Sequence, residues 1–180
     1  MRLTLAILAG LALLPTGCGD SGGGQPVVPA DFALTLERQY CYGPCPVYIV
    51  DVDASGAVSY RGEYYVRVIG EAESRIGERA LRRIAAALAD VDFFSLEDQY
   101  FYFGPGCEQV RPDSQSVIVT ATRDGVTQRI NHYFGCHSSD PVLDELVDMQ
   151  LEIDDALNTQ QWVFCTEDDT FFTTHCVPFP

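Results

Sequence analysis

The chain predicts an α+β domain: an antiparallel sheet built from a meander and a C-terminal hairpin, with two helices packed on one face and disulfides stapling it together. Three observations point there. Strand-like alternation comes first, and two stretches of helical periodicity follow, separated by a hairpin pattern. Seven cysteines are spread along the chain. With 180 residues, 47% hydrophobic and 11% aromatic, the composition suits one domain with a real core.

Asp31 to Gln39 places Phe32, Leu34 and Leu36 on one side of an extended chain, so it reads as a half-buried strand. The Gly43-Pro44 break makes Cys41–Tyr48 a turn. Val47 to Asp53 is the second strand, with Val50 and Val52 facing away from Asp51 and Asp53. Ala54-Ser55-Gly56 turns the chain into Ala57–Arg61, and Gly62 is expected to separate that strand from another at Tyr64–Ile69. Residues 78–90 form the first helix, because Leu81, Ile84, Ala85, Leu88 and Val91 recur at helical spacing while Arg79, Arg82 and Arg83 fall mainly opposite. Ser116–Thr122 and Val126–Tyr133 flank Asp124-Gly125, a strong short-range hairpin signal. Asp140 as N-cap and Pro141 at the first position open a second helix running to about Leu157. Val142, Leu146, Met149, Ile153 and Ala156 give it an apolar stripe. The domain is therefore expected over residues 31–162, followed by a cysteine-bearing tail at 163–180.

The N-terminus reads as an export signal: Arg2, then an apolar run from Leu3 to Leu14 that is too short to span a bilayer. Leu14-Pro-Thr-Gly-Cys18 resembles the lipobox of bacterial lipoproteins, with Pro15 where that family usually carries an aliphatic residue. The resemblance implies cleavage after residue 17, acylation of Cys18 and a membrane anchor made by the lipid. Gly19 in the following position points to the outer membrane. An ordinary signal peptide, leaving a soluble periplasmic or secreted protein, is the alternative. Residues 18–30 then form a Gly/Ser/Pro tether. Its Gly-Asp-Ser-Gly-Gly sequence matches the nucleophile loop of trypsin-type proteases, but only the signal peptide precedes it, and a flexible linker cannot hold an oxyanion hole.

The net charge is −15, and all 11 basic residues are arginine. Loss of residues 1–17 removes Arg2 and no acid, so 10 basic against 26 acidic residues leave −16. Such a surface repels phosphate backbones and anionic headgroups, which argues against nucleic acid as a partner.

The element order, Cys-x-Gly-x-Cys-Pro-x-Tyr at Cys41–Tyr48, the turn glycine Gly56, Phe93-Phe94 and the late Trp162 resemble a bacterial domain-of-unknown-function family often found in lipoproteins and secreted proteins. The resemblance spans Phe32 to Trp162 and implies a fold and an envelope address, but no activity.

With Cys18 lipidated, six cysteines remain for an oxidising compartment. Cys107 and Cys136 flank the Asp124-Gly125 hairpin almost symmetrically, Cys165 and Cys176 bracket the tail loop, and Cys41 is left with Cys45. Chain entropy gives the hairpin bridge roughly 3–4 kcal/mol and the small ring only about 2 kcal/mol. Three readings of Cys41/Cys45 stay open. One is a structural clasp. Another is copper, because Cys-x3-Cys-Pro resembles the motif of Sco-type copper chaperones, with His132, His137 or His175 as a further ligand. The third is thiol–disulfide exchange.

Tyr100-Phe101-Tyr102-Phe103 is a candidate partner patch, for stacking on sugars or anchoring a protein. Asp51-x-Asp53-x-Ser55-Gly56 starts like a calcium loop but has Gly62 where the closing glutamate belongs. His132-x3-Cys136-His137 has zinc-like spacing that competes with the Cys107 bridge. Nucleophile elbows, phosphate loops and dinucleotide fingerprints are missing from the sequence. The expectation is a non-enzymatic, lipid-anchored envelope module without a cofactor, binding an envelope protein or glycan; the alternative is copper binding or redox exchange at Cys41 and Cys45.

Overall fold

The first two strands form where alternation places them: β1 (Ala33–Arg38) and β2 (Val47–Asp53) pair antiparallel, with Leu34 opposite Val52 and Leu36 opposite Val50. The computed structural model describes residues 27–165 and 177–178. The export signal, Cys18, His175 and the Cys165–Cys176 bridge lie outside the described residues. The third strand, β3 (Ala57–Tyr64), differs from expectation because it runs straight through Gly62, and β4 is Gly70–Arg75.

Gly62 pairs with Tyr48 on one side and Gly70 on the other, so it sits inside the ladder. A Cβ there would lie 2.1 Å from the Val68 carbonyl oxygen. The glycine lets the 65–69 segment fold back over the strand rather than ending it. That segment, expected to be extended, is a bend whose Val66 is fully buried. Its backbone N–H groups at Arg67 and Val68 donate to the carbonyls of Val163 and Trp162, 3.1 and 2.9 Å away.

The first helix, α1 (Glu78–Asp90), buries Leu81, Ile84, Ala87 and Leu88, with Ala87 taking the inner place expected of Ala85. Short pieces follow: β5 (Gln99–Tyr100), β6 (Gln109–Val110), then the long hairpin β7 (Ser116–Arg123) and β8 (Val126–Tyr133), and β9 (Cys136–His137). The second helix, α2 (Val142–Leu157), starts where Asp140 Oδ1 accepts the Val142 N–H at 3.0 Å. Its inner face is wider than the predicted stripe. Leu143, Gln150 and Leu157 are buried with Leu146, Met149, Ile153 and Ala156, and Val142 is only half-buried. A short helix, α3 (Gln160–Val163), leads into β10 (Phe164–Cys165), which pairs in parallel with β11 (Val177–Pro178).

The main sheet has seven strands in the order β4-β3-β2-β1-β7-β8-β5. Only the β5–β8 pair is parallel. The meander and the late hairpin join where β1 pairs with β7, Leu36 opposite Val119. Leu34, Leu36, Val50, Val119 and Ile130 form one core with Leu81, Ile84, Leu146 and Ile153 of the helices. The two helices are tied outside by Arg83, whose Nε and Nη2 donate to Glu152 and Asp155 at 2.6 Å each. This is the predicted α+β architecture, with Cys41–Cys45 and Cys107–Cys136 both bonded.

Candidate functional site

Strand direction decides what meets what. In this sheet β1, β3, β8 and β5 finish, and β2, β4 and β7 begin, at the same end. The loops there include residues 39–46, 65–69 and 101–115. Both described disulfides lie at this end. Among the described residues, every exposed aromatic ring is also here: Tyr40, Tyr42, Tyr64, Tyr65, Tyr102 and Phe103. Tyr42 is 87% exposed and Phe103 78%, in a chain whose other described aromatics are buried or half-buried. Gathering exposed rings this way is uncommon unless something binds them.

The rings are held in place. Tyr40 and Tyr64 lie with centroids 5.3 Å apart, and the Tyr40 hydroxyl donates to Glu63 Oε2 at 3.3 Å. Tyr102 stacks on Tyr133 at 4.8 Å, with the two hydroxyls 3.2 Å apart. Tyr133 in turn donates to the Arg111 carbonyl at 2.9 Å and accepts the Ser114 N–H at 3.1 Å. Burial and then the neighbouring Tyr64 and Glu63 push the Tyr40 phenol up, and the hydrogen bond with Tyr133 pushes up Tyr102, so both remain protonated donors.

The cysteine loop is pinned at its base by a residue the sequence did not single out. Gln115 is buried, and its Nε2 donates to the Gln39 and Pro46 carbonyls, both at 2.7 Å. One amide thus bridges the two strands where they enter and leave the Cys41–Cys45 ring. At the loop's tip, the Tyr42 N–H donates to the Asp113 carbonyl at 3.2 Å, joining it to the 111–115 segment that Tyr133 holds.

Below the loop lies a buried polar cluster. Arg38 donates from Nε and Nη2 to Asp154 Oδ2 at 2.9 and 2.5 Å, and from Nε to the Tyr48 hydroxyl at 2.9 Å. Tyr48 and Thr159 both donate to Asp154 Oδ1, at 2.7 and 2.8 Å. Burial alone would lower the Arg38 guanidinium, but Asp154 and Tyr48 outweigh it and hold its pKa above the ordinary value. Tyr48 packs near Tyr60, which stacks on Trp162 at 4.8 Å. The last residue of the cysteine motif and the late tryptophan are therefore parts of one packed wall.

The other sequence candidates are placed as follows. Cys41 is bonded to Cys45 and Cys107 to Cys136. His132 is buried with Nδ1 3.4 Å from the Gln150 amide nitrogen, and His137 is exposed. Among the described residues, no group of three or more His, Cys, Asp or Glu side chains is arranged to hold a metal ion. Asp53 Oδ1 accepts the Ser55 N–H and hydroxyl at 2.8 and 2.6 Å, and Asp51 accepts from Thr35 and Ser59, so the calcium-like stretch is a hairpin turn. The aromatic run 100–103 divides: Tyr100 is core, Phe101 half-buried, and Tyr102 and Phe103 exposed. Its exposed half joins four tyrosines from two distant loops.

These features define a disulfide-clasped, two-layer α+β domain with its exposed rings collected at one end of the sheet. The chain belongs to the family described as Domain of unknown function (DUF6438), which matches residues 32–157. A comparison with curated proteins finds no match to the chain. The family match contains the whole sheet, both long helices and the aromatic loops, and stops before Trp162.

Proposed function

We propose that this protein is an exported, lipid-anchored binding module that meets a partner in the bacterial envelope through the aromatic end of its sheet, without catalysing a reaction. One observation carries the binding half: all six exposed rings among the described residues share one end, on loops held by Gln115, Tyr133 and the disulfides. The address rests on Arg2, the apolar run to Leu14, the Leu14–Cys18 lipobox resemblance and the Gly/Ser/Pro segment after it. That segment would act as a tether from the outer membrane. The copper reading needs Cys41 and Cys45 as thiolates, whereas here their sulfurs are joined, a state that a structural clasp and the oxidised form of a thiol-exchange pair share.

Retention of the protein by isolated envelope material tests the binding half. The doubly substituted Tyr42→Ala/Phe103→Ala protein should lose retention while Val126→Ala, at the opposite end of the sheet, keeps it. Equal retention of the two would refute the reading. For the anchor, Cys18→Ala should release the protein from membranes; a variant that stays fully bound would contradict it.

A further inference from the structure

We infer that the aromatic end binds a neutral, linear glycan laid along the row of strand ends; this rests on the reading that the aromatic end is the binding surface. Three strand ends carry the rings: Tyr64 and Tyr65 at the end of β3, Tyr40 and Tyr42 after β1, Tyr102 and Phe103 after β5. The strand order puts two strand spacings between β3 and β1 and three between β1 and β5, about 24 Å of strand ends at about 4.8 Å per spacing. Along it Tyr40 and Tyr64 lean together, with ring centroids 5.3 Å apart, and Tyr102 leans onto Tyr133 at the end of β8. A row with one platform at Tyr40 and Tyr64 and another at Tyr102 and Phe103 fits an extended polymer. Protein interfaces instead concentrate their energy in a central, fully desolvated cluster.

The side-chain chemistry agrees. Five of the six rings are tyrosines, each pairing an apolar face with a hydroxyl that donates and accepts. A pyranose has the matching character, with an apolar C–H face and a rim of hydroxyls. Tyrosine offers this area at low cost in conformational entropy. Ile69 is the only aliphatic side chain among the exposed large apolar residues in these loops. The nearby carboxylates, Glu63 on the Tyr40 hydroxyl and Asp113 beside Tyr42, accept hydrogen bonds from sugar hydroxyls. Of the arginines at this end, the exposed Arg61 is drawn to Glu63 at 3.7 Å, Arg38 is buried against Asp154, Arg67 donates from Nη1 to the Gln161 carbonyl at 2.7 Å, and Arg111 is exposed. With a net charge of −15, the chain repels uronic-acid and phosphate polymers. A neutral polysaccharide is the glycan this surface admits.

Affinity electrophoresis of the full chain in gels containing hydroxyethylcellulose, glucomannan or glycol chitin, with polygalacturonate as the anionic counterpart, tests the inference. Retardation is expected with at least one neutral polymer and not with polygalacturonate. Replacing both Tyr42 and Phe103 by alanine should weaken it about tenfold or more, as the loss of two stacking rings implies, and Val126→Ala should leave it unchanged. Retardation by none of the neutral polymers, or equal retardation by the anionic one, overturns the glycan assignment. If the double variant then still loses retention on isolated envelope, the binding surface stands and its partner is of another class. If that retention too is unchanged, the surface itself is refuted.

Discussion

Tyr48 donates its hydroxyl hydrogen to Asp154 Oδ1 at 2.7 Å, joining residues 106 positions apart and tying the start of β2 to the last turn of α2. The contact turns a motif tyrosine into the keystone of a buried cluster that also holds Arg38 and Thr159. It lies beneath the cysteine loop, so the cluster's integrity sets the floor on which the aromatic end stands.

Removing one member of that cluster leaves a buried charge without its partner. Asp154→Ala and Arg38→Ala should each destabilise by about 3–5 kcal/mol. Tyr48→Phe, which deletes the hydrogen bond donated to Asp154 and the one accepted from Arg38 Nε, should cost about 3 kcal/mol. Urea denaturation provides the measurement, and the Arg38→Ala/Asp154→Ala double variant should lose less than the sum of its parts. Additive losses would mean that the two side chains act independently.

His132 supplies a pH signature. Burial lowers its pKa from the ordinary 6.5 to about 4, only partly countered by the hydrogen bond with Gln150. The unfolded chain therefore takes up the proton first, and this contribution to stability is complete above pH 6.5. It declines as pH falls from 6.5 towards 4, and the loss levels off below that. The separation between 6.5 and about 4 corresponds to about 3 kcal/mol. His132→Leu should flatten this component in stability measured against pH. A variant with an unchanged slope would assign the effect to other groups.

Gly62 allows the 65–69 bend to close over β3, and a methyl group there would meet the Val68 carbonyl at 2.1 Å. Gly62→Ala should destabilise by about 1–3 kcal/mol through forced backbone movement. At Gly70, φ is +94° but the space is open, so alanine there should cost about 1 kcal/mol from backbone conformation alone. Thermal unfolding of the two variants separates crowding from conformational cost.

The disulfides should differ in what they do. Cys107–Cys136 closes a separation of 29 residues and Cys41–Cys45 one of 4. Replacing the first pair by serine should cost roughly 3–4 kcal/mol, and the second about 2 kcal/mol. The second replacement should weaken envelope binding more than its small stability loss accounts for, because Tyr40 and Tyr42 flank Cys41. Intact mass after alkylation, with and without reduction, should show no free thiol among Cys41, Cys45, Cys107 and Cys136, and metal analysis no copper. Two free thiols that bind Cu(I) stoichiometrically would instead establish a copper site at Cys41 and Cys45.

Much of the fold was readable from local pattern. The alternation in β1 and β2, the Asp124-Gly125 turn and the spacing of Leu81, Ile84 and Leu88 all translate into the observed elements. β4 was not readable, because Glu71, Glu73 and Arg75 are exposed on an edge strand and only Ala72 packs on the core, so little hydrophobic pattern exists to see. The largely apolar 64–69 stretch carries the stronger strand pattern instead. Arg38 did leave a signal: it continues the inward parity of Leu34 and Leu36, where an arginine demands a buried partner. Asp154 could not be identified as that partner without the helix position. The aromatic end was visible only in its 102–103 part, since Tyr40, Tyr64 and Tyr102 become neighbours in one end of the sheet through strand direction and the β1–β7 pairing.

Hydrogen exchange of the protein with and without isolated envelope material tests the binding surface most directly. Protection is predicted in the loops at residues 39–46, 65–69 and 101–106, with no change at the opposite turns, residues 54–56 and 124–125. Protection confined to those opposite turns or to the outer face of α1 and α2, with the aromatic loops unchanged, would contradict it.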